Sequence, residues 1–310
     1  VSEHFRPGVM DKLGLGYEAI REINPSVVYA AASGYGQDGP YRDRPGQDLL
    51  IQALSGLANI TGSEDQPPTP VGVSAADHHG AMILAMAILA ALLRRERTGQ
   101  GGRVDVDLLS AGLDLQMETL VCYANGPPVS QRAAPNLGGW HYQAPYGIYE
   151  VSDGHVAISL GPMKSLANAL SLPALTDFEV DDTFTHRREI AASVQGAVRE
   201  MTVECLCDRL DAENIWNAPV NDYAKVLEDP QVRFNGSLLK IESTHGSPMT
   251  LLAHPAKYDG KRPGVRLPPQ LLGAQSEEIL GELGYTHDEV MKLAELGVIR
   301  VADKSTATIE

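Results

Sequence analysis

Positive charge is scarce in this sequence. Across 310 residues, 25 lysines and arginines stand against 40 aspartates and glutamates, a formal net charge of −15. A phosphate backbone needs a basic footprint, so no nucleic-acid partner is expected. Any polyanionic small ligand must be met by a local cluster of Arg and Lys. Cysteine is scarce as well. Cys122, Cys205 and Cys207 offer no paired framework, which points to a reducing, cytoplasmic setting. Cys205 and Cys207 fall in MTVECLCDRL, which reads as helix, and two residues apart they project in different directions and share no metal. The opening VSEHFRPG has no apolar core of a leader peptide, so none is expected there. The longest apolar run, residues 81–93, falls short of the roughly 20 residues that cross a bilayer. It reads as a buried helix, with no membrane association expected.

The common signatures are also missing. There is no GxGxxG after a strand, no P-loop, no GxSxG, no HExxH and no CxxC pair. His78 and His79 are adjacent, so their side chains diverge, and no metal site is expected. What is present is an ordinary globular composition, 43% hydrophobic and 21% charged, in a length that suits two domains.

Strand and helix signals alternate through the first third. GYEAIREINPS is a short amphipathic helix, SVVYAAASGYG an apolar run of strand length, and QDLLIQALSGLANITG a further helix. Residues 80–97 read as a long apolar helix that turns to RRER and closes at Gly99, a C-cap signal. Arg94, Arg95, Arg97 and Arg103 form the densest basic patch, which a charged helix end explains. VDVDL alternates like a strand. This β/α alternation predicts a doubly wound parallel sheet over residues 1–123. Residues 124–145, rich in Pro, Gly and Asn, read as a linker and active-site loop. A smaller α+β domain is expected over 146–245, opening with a hairpin around Asp153-Gly154. Residues 246–310 read as a return linker and a C-terminal helix packing on the large domain. That helix starts at a capping box of Thr286 and Glu289, flanked by Tyr285 and Val290.

Asp77 stands in PVGVSAADHHGAMILAMAILAALLRRERTGQGG, where small residues give way to the long helix. Two readings of its position are open. Asp is a preferred N-cap residue. A carboxylate held ionised at a helix N-terminus, beside small residues that leave room for a carbonyl, is also what covalent carboxylate catalysis requires.

Four stretches in collinear order resemble the family III CoA-transferases. They are VSEHFRPGVMDKLGLGYEAIREINPSVVYAAASGYGQDGPYRDRPGQDLLIQALSGL, PTPVGVSAADHHGAMILAMAILAALLRRERTGQGGRVDVDL, PYGIYEVSDGHVAISLG, and RPGVRLPPQLLGAQSEEILGELGYTHDEVMKLAELGVI. The resemblance implies a Rossmann-like large domain with a smaller α+β domain, in an interlocked homodimer. It implies an acyl-CoA and a small carboxylic acid as substrates, with coenzyme A as the carried group and no metal. Asp77 occupies the position of the nucleophilic aspartate. His4, Phe5, Arg6, Lys12, Arg44, Gln47 and Asp48 fall along the CoA groove, and Gly138 and Gly139 lie where the family carries a glycine-rich loop over the substrate. Relative to the family, the β/α units that precede VSEHFRPG are lacking, so the chain is expected to be a fragment or a variant. Two alternatives share the fold. One is a truncated, non-catalytic acyl-CoA-binding member. The other is a 2-methylacyl-CoA racemase, which needs a titratable group facing Asp77. Racemases of this fold carry a histidine where this sequence has Gln47, whose amide exchanges no proton near neutral pH.

Overall fold

The computed structural model describes residues 1–126, 131–243 and 247–302. The fold is mixed α/β, and the chain divides into two compact units, Val1–Val220 and the segment from Asn221 onward.

The first unit opens with β1 (Ser2–Glu3), α1 (Val9–Lys12), α2 (Tyr17–Ile23) and β2 (Val28–Ser33). Next come α3 (Asp48–Leu54), α4 (Leu57–Ile60), α5 (Ala75–Thr98), β3 (Gly102–Asp107), α6 (Leu108–Asp114) and α7 (Met117–Asn125). The three strands form a parallel sheet in the order β1-β2-β3, and among the described residues that order has no reversal. β2 is its central strand. Val28, Tyr29, Ala30 and Ala31 are all buried, the continuous apolar run of a strand covered on both faces. The outer edges of β1 and β3 are unpaired among the described residues.

α5 is less buried than its composition suggests. Ala76, Gly80, Leu84 and Ala91 pack inward, while Met82, Met86, Leu89 and Leu93 are 71, 65, 67 and 52% exposed. Spacings of four, three and four put those four side chains on one helix face. The run over residues 81–93 also understates the element. The 24-residue helix is long and apolar enough to cross a membrane by length and composition alone, a test that core helices pass equally. One side of it packs on β2, β3, α3 and α6. It ends at Gly99, whose φ of 73° is the left-handed cap that glycine adopts without strain.

β4 (Gly147–Val151), β5 (Gly154–Ile158) and β6 (Asn217–Pro219) build an antiparallel sheet. Val151 pairs with Gly154, so the hairpin turns on Ser152 and Asp153. α8 (Met163–Leu170), a 3-10 turn (Pro173–Asp177), α9 (Asp182–Thr185), α10 (Arg187–Val198) and α11 (Val203–Ala212) accompany it. Its core takes alternate residues of the hairpin (Tyr149, Val151, Val156, Ile158), the i, i+4 row Ile190, Val194 and Val198 of α10, and Leu206 and Leu210 of α11. Each fully buried aliphatic side chain here contributes about 1.5–3 kcal/mol over an exposed one. Residues 131–145 are packed: Ala133, Ala134, Leu137 and Ala144 join this core, and the Arg132 guanidinium donates to the carbonyls of Asn59, Ser63, Gln66 and Pro67.

The second unit holds α12 (Tyr223–Glu228), α13 (Pro230–Phe234), the hairpin β7 (Leu238–Glu242) and β8 (Pro248–Leu252), α14 (Ser276–Glu282) and α15 (His287–Glu295). α15 begins at the capping box of Thr286 and Glu289, and Val290 is buried.

Candidate active site

Asp77 lies at the third position of α5, three residues beyond its N-cap. Ser74 holds the cap position without a side-chain bond. The orphan amides of this first turn are met from another helix. Asp48 Oδ1 accepts the Ala76 N–H at 2.9 Å and the Asp77 N–H at 3.2 Å. Asp77 is thereby relieved of the capping task, and among the described residues its carboxylate has no hydrogen-bond partner. It faces a cavity of about 730 Å³ lined by His4, Ser33, Gly34, Gly46, Gln47, Asp48, Gly80 and Leu84, among others.

The cavity sits where parallel α/β sheets bind ligands, outside the carboxyl ends of the strands. His4 follows β1, Ser33 ends β2, and the turn from β3 into α6 supplies Val106 and Leu108. The loop between β2 and α3 returns to the same place because two glycines touch. A Cβ built on Gly34 would lie 2.7 Å from Gly46 Cα, and one on Gly46 2.4 Å from Gly34 Cα. Any side chain at either position would push Gln47 and Asp48 away from the strand end.

Electrostatics favour a reactive carboxylate over an inert one. Partial burial holds the Asp77 carboxyl above its ordinary pKa, the negative charge of Asp48 adds to this, and His78 opposes it. A carboxylate with a raised pKa is more basic, and so a better nucleophile, than a solvated one. His79 is turned elsewhere, its Nε2 lying 2.7 Å from Asp114 Oδ2.

Of the residues singled out from the sequence, His4, Gln47 and Asp48 line the cavity with Asp77. Phe5, Arg6 and Lys12 are exposed on the segment that runs on from His4, and Arg44 stacks on the Tyr41 ring at 4.1 Å. Gly138 and Gly139 are absent from the cavity lining. Gly138 instead borders a second cavity of about 810 Å³ with Asn136, Glu150, Gln195 and Arg199, and its N–H donates to the Tyr146 carbonyl at 2.9 Å. Two residues went unnoticed in the sequence. Arg42 reaches over Gly8, where a Cβ would come within 3.4 Å of its Nη2. The Arg42 guanidinium thus meets the loop that also carries Arg6. Gln52, one turn after Asp48, is a polar side chain only 1% exposed; the pair's i, i+4 spacing was its sequence signal.

A small-residue crevice at the strand ends, lined by Asp77 and Asp48, is the place where an α/β enzyme holds its ligand. Comparison with known proteins agrees. The model of CoA-transferase family III matches residues 1–276. A succinyl-CoA:glutarate CoA-transferase of Mus musculus is 32% identical over 307 residues, covering 96% of this chain and 69% of that protein. An acetyl-CoA:oxalate CoA-transferase of Acetobacter aceti is 31% identical, covering 86% of this chain and 69% of its own. The crystal structure of a CAIB/BAIF family protein from Brucella suis superposes with a TM-score of 0.74 at 29% identity, covering 91% of this chain and 75% of that one. The chain belongs to CoA-transferase family III, and it is a CoA-transferase acting on CoA thioesters.

Proposed function

We propose that the protein moves coenzyme A from an acyl-CoA to a small carboxylic acid, with Asp77 as the covalent carrier. The observation that carries this reading is the Asp77 carboxylate, facing the strand-end cavity with no hydrogen-bond partner among the described residues. An Asp77 oxygen attacks the thioester carbonyl, forming a mixed anhydride as the C–S bond breaks and CoA thiolate leaves. The thiolate then attacks the Asp77 carbonyl, releasing the donor acid as its carboxylate and leaving an aspartyl–CoA thioester. An acceptor carboxylate attacks this thioester to give a second anhydride and thiolate. Thiolate attack on the acceptor's acyl carbon forms the new acyl-CoA and returns Asp77.

Arg6, Lys12 and Arg44, joined by Arg42, are assigned to the CoA phosphates, since guanidinium and ammonium groups suit them and the remainder of the chain is acidic. His4 and Gln47, which line the cavity, are assigned to hydrogen bonds with the CoA thioester, and Gly138 and Gly139 to the substrate loop. A homodimer is part of the proposal; the apolar face of Met82, Met86, Leu89 and Leu93 on α5 supports it, because such a stripe marks an interface. A cytoplasmic location follows the low cysteine content.

The test follows CoA from a donor acyl-CoA to a panel of mono- and dicarboxylic acids by liquid chromatography, with Asp77→Ala as the control. Transfer lost by at least about 10³-fold in the folded variant supports the reading. Transfer at the wild-type rate overturns it.

A further inference from the structure

Gln52 is the most completely bonded side chain near the cavity, and nothing in the chemistry above uses it. It lies on α3 one turn beyond Asp48 and is 1% exposed. Its Nε2 donates to Asp48 Oδ2 at 2.5 Å and to the Val73 carbonyl at 3.2 Å. Its Oε1 accepts the Val71 N–H at 2.8 Å. The amide orientation is set by its partners, since an N–H must face an oxygen while a carbonyl and a carboxylate must face N–H groups. Both amide hydrogens and the carbonyl are therefore committed.

We infer that Gln52 is a positioning residue for Asp77: it holds Asp48 aimed at the first turn of α5 and fixes the strap of residues 71–73 that leads into it. Asp48 has two oxygens and divides them. Oδ1 takes the Ala76 and Asp77 N–H groups, and Oδ2 is held by Gln52. Without the amide, Asp48 is free to rotate away from the helix, and the strap loses both of its side-chain anchors. The nucleophile is carried on the backbone that these bonds fix, and a displacement of about 1 Å at a reacting atom costs on the order of 10²-fold in rate. Glutamine fits where glutamate does not. A carboxylate at this position would confront the Asp48 carboxylate and the Val73 carbonyl at hydrogen-bond distance. Among the described residues, Asp48 and His78 act electrostatically on Asp77, and His4 lines the same cavity.

This inference rests on Asp77 being the nucleophile, so the experiment tests the two separately. Wild-type protein incubated with acyl-CoA is first treated with hydroxylamine, and a hydroxamate at Asp77 establishes the nucleophile independently of Gln52. Gln52→Met is then expected to lower kcat by about 10–10²-fold while KM changes less than about threefold. Gln52→Glu serves as a second variant should Gln52→Met not fold. Protonated, its acid can still donate to Asp48; ionised, it opposes Asp48. Its rate relative to wild type therefore falls as pH rises. A wild-type kcat in Gln52→Met, or a pH-independent ratio for Gln52→Glu, overturns the inference while the Asp77 hydroxamate stands. A wild-type protein with no hydroxamate at Asp77 overturns the nucleophile, and this inference with it.

Discussion

The proposed chemistry rests on Asp77, and its environment makes two predictions. Its carboxyl is held above the ordinary aspartate value, first by partial burial and then by the charge of Asp48. Transfer needs the ionised form, so rates should decline as pH falls through a value higher than that of a free aspartate. A pH profile of kcat/KM checks this, and a rate independent of pH down to the ordinary aspartate range contradicts it. The same shift sets the sign for stability. The folded state binds the Asp77 proton more tightly than the unfolded state, so ionisation lowers stability as pH rises from the ordinary value through the raised one. At neutral pH, Asp77→Asn should therefore melt no lower than wild type although it is inactive, and differential scanning calorimetry reads this directly. Gln47 makes the prediction that separates transferase from racemase. It stands beside Asp77 without a titratable proton, so a 2-methylacyl-CoA in deuterium oxide should gain no deuterium at its α-carbon. Rapid uptake without a carboxylate acceptor, seen by mass spectrometry, favours the racemase.

At the scale of elements, the site depends on loops brought to the strand ends. The Gly34–Gly46 contact is backbone on backbone, and neither side can yield as a flexible side chain would. Gly34→Ala should cost about 1–3 kcal/mol as overpacking, lower Tm by several degrees and weaken transfer by moving Gln47. Wild-type Tm and rate in that variant would contradict the account of this loop. Local elements were legible in the sequence. The unbroken apolar run of β2, the Gly99 stop of α5, the hairpin near Asp153 and the capping box at Thr286 each depend on neighbours a few residues apart. What escaped was long range. Asp77 could be read as a cap or as a nucleophile because the residue that meets the α5 amides, Asp48, lies 28 and 29 positions away from Ala76 and Asp77. The burial of Gln52 escaped for the same reason. The exposed face of α5 escaped for another: the helix is apolar all round, so no polar stripe marks which side lacks neighbours.

For the molecule as a whole, that face is the feature most in need of a partner. Four large apolar side chains on one side of a long helix are costly to leave in water, and the proposed homodimer would cover them. Sedimentation should show a dimer at micromolar concentration. Met86→Glu combined with Leu89→Glu should give a monomer with unchanged far-ultraviolet circular dichroism, because both side chains are exposed in the single chain. A wild-type monomer, or a charged variant that still dimerises, contradicts this assignment.

The central claim is the covalent carboxylate. Incubating the protein with an acyl-CoA, quenching with hydroxylamine and mapping the digest by mass spectrometry tests it most directly. The account predicts a hydroxamate on the peptide containing Asp77, dependent on acyl-CoA and absent in Asp77→Ala. A protein that transfers CoA with that peptide unmodified, or with the modification on another carboxylate, would contradict it.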